Sequence, residues 1–289
     1  MNNINTKLYE NIEIGDNYPT SVMGVINLSP ESFYKNSVFE SFHQVKNIAL
    51  EMISMGAGFL DIGARSTAPG APNITVDEEL KRLLPILEEL FKILPDGNVI
   101  SIDTQYMKIA EQAYYLSQIN NKKIIINDVS CLKTDPKMRD FIIDNDLPII
   151  LMASKEKPGD LLTMDQIISE FEFTIESLKE NGHDEKKIIL DPGIGHWVPQ
   201  KTYQYDLAII DELDKLRRLE KPILVAISRK SFIGNLLDIP DPKDRLNGTL
   251  AATSIAIYNG AHIVRTHDVN KKLMETIKIS KKIRSVNKK

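Results

Sequence analysis

Along the chain, short apolar runs alternate with longer stretches whose apolar positions recur every three or four residues. The runs are 22–27 (VMGVIN), 59–63 (FLDIG), 99–103 (VISID), 123–129 (KIIINDV), 148–152 (PIILM), 187–191 (KIILD), 222–228 (PILVAIS) and 261–267 (AHIVRTH). They are rich in Ile and Val and do not alternate in polarity, the pattern of parallel strands covered on both faces. The stretches between them read as helices. Thr75-Val-Asp-Glu78 is a capping box ahead of Leu80, Leu83, Leu84 and Leu87, and 108–116, 136–143, 165–178, 205–219, 246–258 and 270–283 carry the same period. Strand followed by helix, repeated to the end of the chain, predicts a (β/α)8 TIM barrel, one domain over residues 1–289. A doubly wound open sheet shares the alternation and is the competing architecture.

Composition changes this picture little: 289 residues, 42% hydrophobic and 26% charged, are enough to bury a core without staples. A net charge of −4 argues against a nucleic-acid partner. The single cysteine, Cys131, excludes an internal disulfide and reads as a small core filler. The basic tail, Lys281 to Lys289, reads as a solvated helix end. The polar N-terminus lacks the apolar core of a signal peptide, and no apolar run approaches the ~18 residues of a membrane span. A cytoplasmic protein without a membrane partner is expected.

The candidate chemistry lies at the strand ends, where a barrel gathers its active site. Asn27 ends the first run, Asp61 leads into Arg65-Ser66-Thr67, and Asp103, Asn127-Asp128 and Asp191 end the third, fourth and sixth. Ser228-Arg229-Lys230 and Arg265-Thr266-His267-Asp268 end the last two, while Met152 ends the fifth. A lone Asp at a strand end is an ordinary turn or cap, and Asp268 has that reading before the last helix. Together, however, these groups suit a flat heterocycle with ring N–H, amino and carbonyl groups. Carboxylates accept, an amide does both, and Met152 offers a face to the ring. Lys230, Arg265 and His267 come from the last two strands, where barrels commonly hold phosphate. Two long βα loops, 28–40 and 64–74, have the Pro, Ser and Gly content of mobile lids.

The segments MGVINLSPESF, GAGFLDIGARSTAPGA, SIDT, INDVS, ILDPGIG, SRKSFIG and RLNGTLAATSIAIYNGAHIVRTHDV occur in the order in which they resemble dihydropteroate synthases. The resemblance runs over nearly the whole chain. It implies a transferase that condenses 6-hydroxymethyl-7,8-dihydropterin diphosphate with p-aminobenzoate or a related arylamine, releasing pyrophosphate, and acts as a homodimer. It also implies that Thr67, Asp103, Asn127, Met152, Asp191, Lys230, Arg265 and His267 bind substrate. Asp103, Lys230 and Arg265 would be catalytic, and Asn27 would meet Mg²⁺ and the diphosphate. A non-catalytic pterin-binding paralogue and a pterin-dependent methyltransferase are the alternatives.

The departures from the family pattern are local. Glu31-Ser32-Phe33-Tyr34-Lys35 replaces a loop with a glycine pair, and Ala68 replaces an arginine in loop two. His196-Trp197-Val198 replaces Phe-Gly-Lys, and Ala153 replaces a histidine. Two positive charges are therefore missing near the second substrate, with Arg65, Lys35 and His196 as candidate replacements. This predicts that p-aminobenzoate is a poorer substrate than an arylamine with another para substituent.

Overall fold

The computed structural model describes residues 3–29, 42–66, 73–195 and 198–287. Thr67, and the parts of the two long loops on which the lid expectation rests, lie outside them.

Eight parallel strands form the barrel: β3 (Ser21–Asn27), β4 (Phe59–Gly63), β5 (Val99–Asp103), β6 (Lys123–Asp128), β7 (Ile149–Met152), β8 (Ile188–Asp191), β9 (Leu224–Ala226) and β10 (Ile263–Thr266). Ahead of them, β1 (Asn5–Tyr9) and β2 (Ile12–Gly15) pair as an antiparallel hairpin. Around the barrel run α1 (Phe42–Ser54), α2 (Val76–Ile93), α3 (Met107–Ile119), α4 (Pro136–Asp144), α5 (Met164–Glu180), α6 (Tyr203–Asp211), α7 (Ser231–Leu237), α8 (Leu246–Tyr258) and α9 (Lys271–Asn287). The strands neighbour one another in the order β8-β7-β6-β5-β4-β3-β10-β9. A single bridge, Leu190 with Ile223, and the 2.9 Å bond from Leu190 N–H to Pro222 C=O close the ring between β8 and β9. An open doubly wound sheet is thereby excluded, since it would reverse its strand order at a switch point.

Burial explains why the strands do not alternate. On the outer face Val22, Ile26, Leu60, Ile62, Ile100, Ile102, Ile124 and Ile126 join one core with Leu83, Leu87, Leu90 and Ala110 of the helices. Each leucine so buried contributes about 1.5–3 kcal/mol. On the inner face Met23, Phe59, Val99, Ile125, Ile150, Ile189, Leu224 and Ile263 form a second cluster with Leu8 and Ile14 of the hairpin, which plugs the N-terminal end. Polarity returns only toward the C-terminal end. The register aligns Val25, Asp61, Ser101 and Ile125, and one pleat higher Asn27, Gly63, Asp103 and Asn127.

Three local expectations need correction. Residues 205–219 form not one helix but α6 followed by a 3₁₀ helix, Leu213–Leu219, which stops at Glu220 in the left-handed conformation. Buried Leu213 and Leu216 are three apart, the spacing a 3₁₀ turn eclipses onto one face. The basic tail is not wholly solvated: Arg284 is buried and pairs with Asp16 after the hairpin. Asp268 does not cap the last helix; it holds Arg229, and Asn270 accepts the Leu273 N–H instead. The Thr75–Glu78 capping box is present as the spacing predicts. Cys131 is buried, with burial pushing its thiol up to about 12. Among the described residues no helix is long and apolar enough to cross a membrane.

Candidate active site

Strand register alone brings most of the predicted residues to one rim. Asn27, Asp103 and Asn127 share a row, and Met152 stands opposite Asp191 on the neighbouring strand pair. Gly63 sits within that row because a Cβ there would come within 3.2 Å of the Asp103 Cβ. From β10 the Arg265 side chain reaches across the barrel. Its Nε donates to Asp61 Oδ2 at 2.6 Å and its Nη2 to Asp103 Oδ2 at 3.0 Å, with Nη2 also in an ion pair 2.6 Å from Asp61 Oδ2.

Asp61 is the hub of this arrangement. It has no exposed surface, and its Oδ1 accepts from the Ser101 hydroxyl at 2.5 Å and from Asn127 Nδ2 at 3.1 Å. A carboxylate can only accept, so it fixes the Asn127 amide with one N–H inward, and a ligand meets the carbonyl oxygen and the second N–H. Burial and the neighbouring Asp61 charge raise Asp103 to about 7, with Arg265 acting against them. Burial disfavours the Arg265 cation, but Asp61 and Asp103 together hold its pKa above the ordinary value.

The opposite side of the rim has its own pair. Asp191 is buried and accepts the Gly193 N–H at 2.9 Å; burial raises its pKa, opposed by the Lys230 charge, the Gly193 bond and Arg265. Lys230, the N-cap residue just ahead of α7, donates to the Ile194 carbonyl, and burial lowers its pKa to about 8 against the pull of Asp191. His267 Nδ1 lies 3.1 Å from the Ser228 hydroxyl, which also accepts the His267 backbone N–H at 3.2 Å. The hydroxyl has two acceptor lone pairs as well as its proton, so this contact suits either neutral tautomer of the ring. Burial, with Arg265, Arg229 and Lys230 nearby, pushes this histidine down to about 3, so at neutral pH it is uncharged.

Two of the charged residues noted at the strand ends prove to be scaffolding. Arg229 adopts φ 57° and is held by Asp268 and by the Pro242 and Lys243 carbonyls. Asp128 accepts from the Ser130 N–H and hydroxyl and from the Leu132 N–H, shaping the turn after β6. Arg65, a candidate replacement for the missing loop-two arginine, gives its Nε to Glu79 at 2.7 Å and lies 4.8 Å from the centre of the Tyr106 ring. Glu79 has no exposed surface and also accepts from the Thr104 hydroxyl at 2.8 Å. The Arg65 charge is thus already answered from beneath.

Sequence reasoning passed over Glu79 and left Asp61 out of the site set. Asp61 carried a signal, since it precedes Gly63 by two residues just as Ser101 precedes Asp103, which puts it on the inner face. Glu79 carried none, because an acid in the first turn of a helix reads as a dipole partner. Among the described residues no group of three or more His, Cys, Asp or Glu side chains is arranged to cage a metal. Asn27, half-buried at the end of β3, belongs to the same rim.

Comparison with known proteins adds the family to this fold. Residues 23–267 match the family described as pterin binding enzyme. Over 250 residues the chain is 39% identical to the dihydropteroate synthase of Bacillus subtilis, covering 86% of this chain and 84% of that protein. The dihydropteroate synthase of Yersinia pestis, solved with a sulfonamide drug, superposes with a TM-score of 0.85 at 30% identity, covering 98% of this chain and 99% of the other. That of Coxiella burnetii, solved with pteroic acid, gives 0.82 at 32% identity, covering 98% and 100%. With strand order, polar rim and sequence in agreement, the chain belongs to the pterin binding enzyme family.

Proposed function

We propose that this barrel condenses 6-hydroxymethyl-7,8-dihydropterin diphosphate with p-aminobenzoate or a related arylamine, forming a dihydropteroate and pyrophosphate in folate synthesis. The observation that carries this reading is the convergence of Asp103, Asn127, Asp191 and Lys230 on one rim, with Met152 beside them. Asp103 and Asp191 accept from the ring's N–H and amino groups, Asn127 pairs with both kinds of ring atom, and Lys230 donates to a ring acceptor. Met152 packs on the ring face.

In the reaction the methylene C–O bond breaks with its electron pair leaving on the diphosphate. A C–N bond forms to the amine, which releases one proton. Positive charge therefore grows on the pterin methylene and negative charge on the departing oxygen. The Asp103 and Asp191 carboxylates stabilise the first, and they act best as anions in a dry pocket whose dipoles are already oriented. Arg265 and the neutral His267 ring face the second, with Arg265 held in aim by Asp61. The donor set suits Mg²⁺ bound mainly through substrate: one amide, Asn27, supplements diphosphate oxygens and water, as this ion usually prefers. When bound, the ion neutralises charge on the leaving diphosphate. Thr67 would bind substrate from loop two.

A homodimer is part of the same reading. Ile255 and Tyr258 of α8 and Ile279, Ile283 and Val286 of α9 are large, apolar and exposed, around the Ser254–Ser280 contact that joins the two helices. Such a surface fits a second copy better than water. The net negative charge supports a small-molecule enzyme rather than a nucleic-acid binder, and a cytoplasmic setting is part of the same reading.

Incubation with the pterin diphosphate, Mg²⁺ and a panel of para-substituted anilines, followed by product mass spectrometry, tests the reaction. A pterin–arylamine product is expected, with p-aminobenzoate outperformed by another para substituent because Arg65 is held by Glu79. Absence of product with every amine, while 6-hydroxymethylpterin still binds, would move the reading to a non-catalytic paralogue.

A further inference from the structure

Beneath the loop that follows β8 lies a buried charged pair that neither the strand-end pattern nor the reaction scheme uses. Lys201 has no exposed surface, and its Nζ donates to the Gly193 carbonyl at 2.7 Å. Asp206, in the first turn of α6 and equally enclosed, accepts the Gly195 N–H at 2.7 Å. The two charges stand 3.9 Å apart. Between these anchor points the Ile194 carbonyl receives Lys230 Nζ, and the Gly193 N–H donates to Asp191. Three successive residues of the loop are thus each tied to a buried ionisable side chain.

The loop has little freedom elsewhere. Gly193 adopts φ 71°, and a Cβ there would come within 3.4 Å of the Ala153 carbonyl and of Met152 Cγ, so the loop lies directly on the end of β7. Enclosing two ions costs several kcal/mol each before pairing, and an apolar pair of the same volume would fill the space more cheaply. An apolar pair could not hold the Gly193 carbonyl and the Gly195 N–H.

We propose that Lys201 and Asp206 are positioning residues for ring recognition: they lock the 191–195 loop so that the Asp191 carboxylate and the Lys230 ammonium meet the pterin in one fixed geometry. The proposal rests on the reading that Asp191 and Lys230 bind that ring. Lys201 has an electrostatic share in it as well. Burial works against the Asp191 anion, and Lys201 is one of the cations opposing it, beside Lys230 and Arg265. Burial also lowers the pKa of Lys201 itself, against Asp206, Asp191 and Asp160.

The test is calorimetric titration of the full chain with 6-hydroxymethylpterin from pH 5.5 to 8.5, with thermal melts alongside, for wild type, Lys201→Met and Asp206→Asn. Lys201→Met is expected to melt cooperatively, to bind at least about tenfold more weakly, and to lose affinity on the acid side at a pH about one unit higher than wild type. Asp206→Asn keeps the size and the acceptor for Gly195, and is expected to weaken binding about threefold. Wild-type affinity and an unmoved acid limb in Lys201→Met, with only the melt lowered, would overturn the proposal and leave the pair a structural filler. If Lys201→Met does not fold, unchanged affinity in Asp206→Asn overturns it instead. Failure of the wild-type chain to bind the pterin would strike the proposed function itself, and the wild-type titration separates that result from the others.

Discussion

The two ends of the barrel both bury charge, and they treat it in opposite ways. Below the hairpin, Asp16 accepts from Arg217 at 2.8 and 3.1 Å, from Arg284 and from the Ile4 N–H at 2.9 Å, with His262 Nε2 at 3.4 Å. Burial disfavours this carboxylate, yet His262, Arg217 and Arg284 hold it well below the usual range. At the rim the balance is reversed. Asp103 and Asp191 are hard to ionise, and Lys230 and His267 are hard to protonate. At one end the carboxylate is stabilised by its partners; at the other, burial outweighs the partners that each group has. A ring rich in N–H groups, carrying a polyanion, would reverse each of those four shifts; both ends are perturbed, but only at the rim is the charged form the disfavoured one for acids and bases alike.

The largest expected effect lies at the satisfied end. Asp16→Ala strands Arg217 and Arg284 side by side with little exposure, and should cost about 3–5 kcal/mol of stability in urea unfolding. Pterin affinity of the folded fraction should not change, and a loss there would mean the two ends are coupled. Next comes Asp191→Asn, which replaces one acceptor oxygen with a donor. Pterin affinity should fall by about 1.5–3 kcal/mol by calorimetry, while stability stays level or rises because a disfavoured buried anion is gone.

The smallest effect is a difference in pH response. His262 Nδ1 accepts the Ile223 N–H at 3.0 Å, so the neutral ring is built in, and burial pushes its pKa down to about 4. Its folded pKa lies below the unfolded value near 6.5, so the unfolded chain binds the proton first and stability falls as pH drops between those values. The loss from this group should be about 1.5 kcal/mol between pH 6.5 and 5. Asp103 has the opposite sign: its folded pKa of about 7 exceeds the unfolded value, so its contribution is full at low pH and lost as pH rises from about 4 to 7. Urea midpoints across this range should flatten in His262→Gln and steepen in Asp103→Asn. Identical slopes in both variants would erase the distinction between the ends.

How much of this was legible in the sequence depends on whether a residue answers to its neighbours along the chain or across space. Strand runs and rim residues were readable because a parallel barrel strand is apolar until its last turn of pleat, where Asn27, Asp103, Asn127 and Asp191 stand out. The hairpin was not readable. Its alternation, with Ile4, Thr6 and Leu8 inward and Asn5 and Lys7 outward, is brief and lies in a stretch that is polar overall. Arg229 and Lys230 are adjacent cations in the sequence, yet only structure separates the one that braces Asp268 from the one that lies on the Ile194 carbonyl near Asp191. Lys201 and Asp206 read as ordinary helix-entry polarity, because their partners are backbone groups brought near by the preceding turn.

The ring of strands has one narrow joint, the single bridge between β8 and the three-residue β9. Asp191 follows directly from one side of that joint and Lys230 lies just beyond the other strand, so a ring held by both, as proposed, would span it like a clasp. A ligand at a hundred times its dissociation constant adds about 2.7 kcal/mol to the folded state. Here that gain falls on the place where the hoop is least supported. A ligand held in that way would brace the circumference from within, at the joint where strand pairing is shortest.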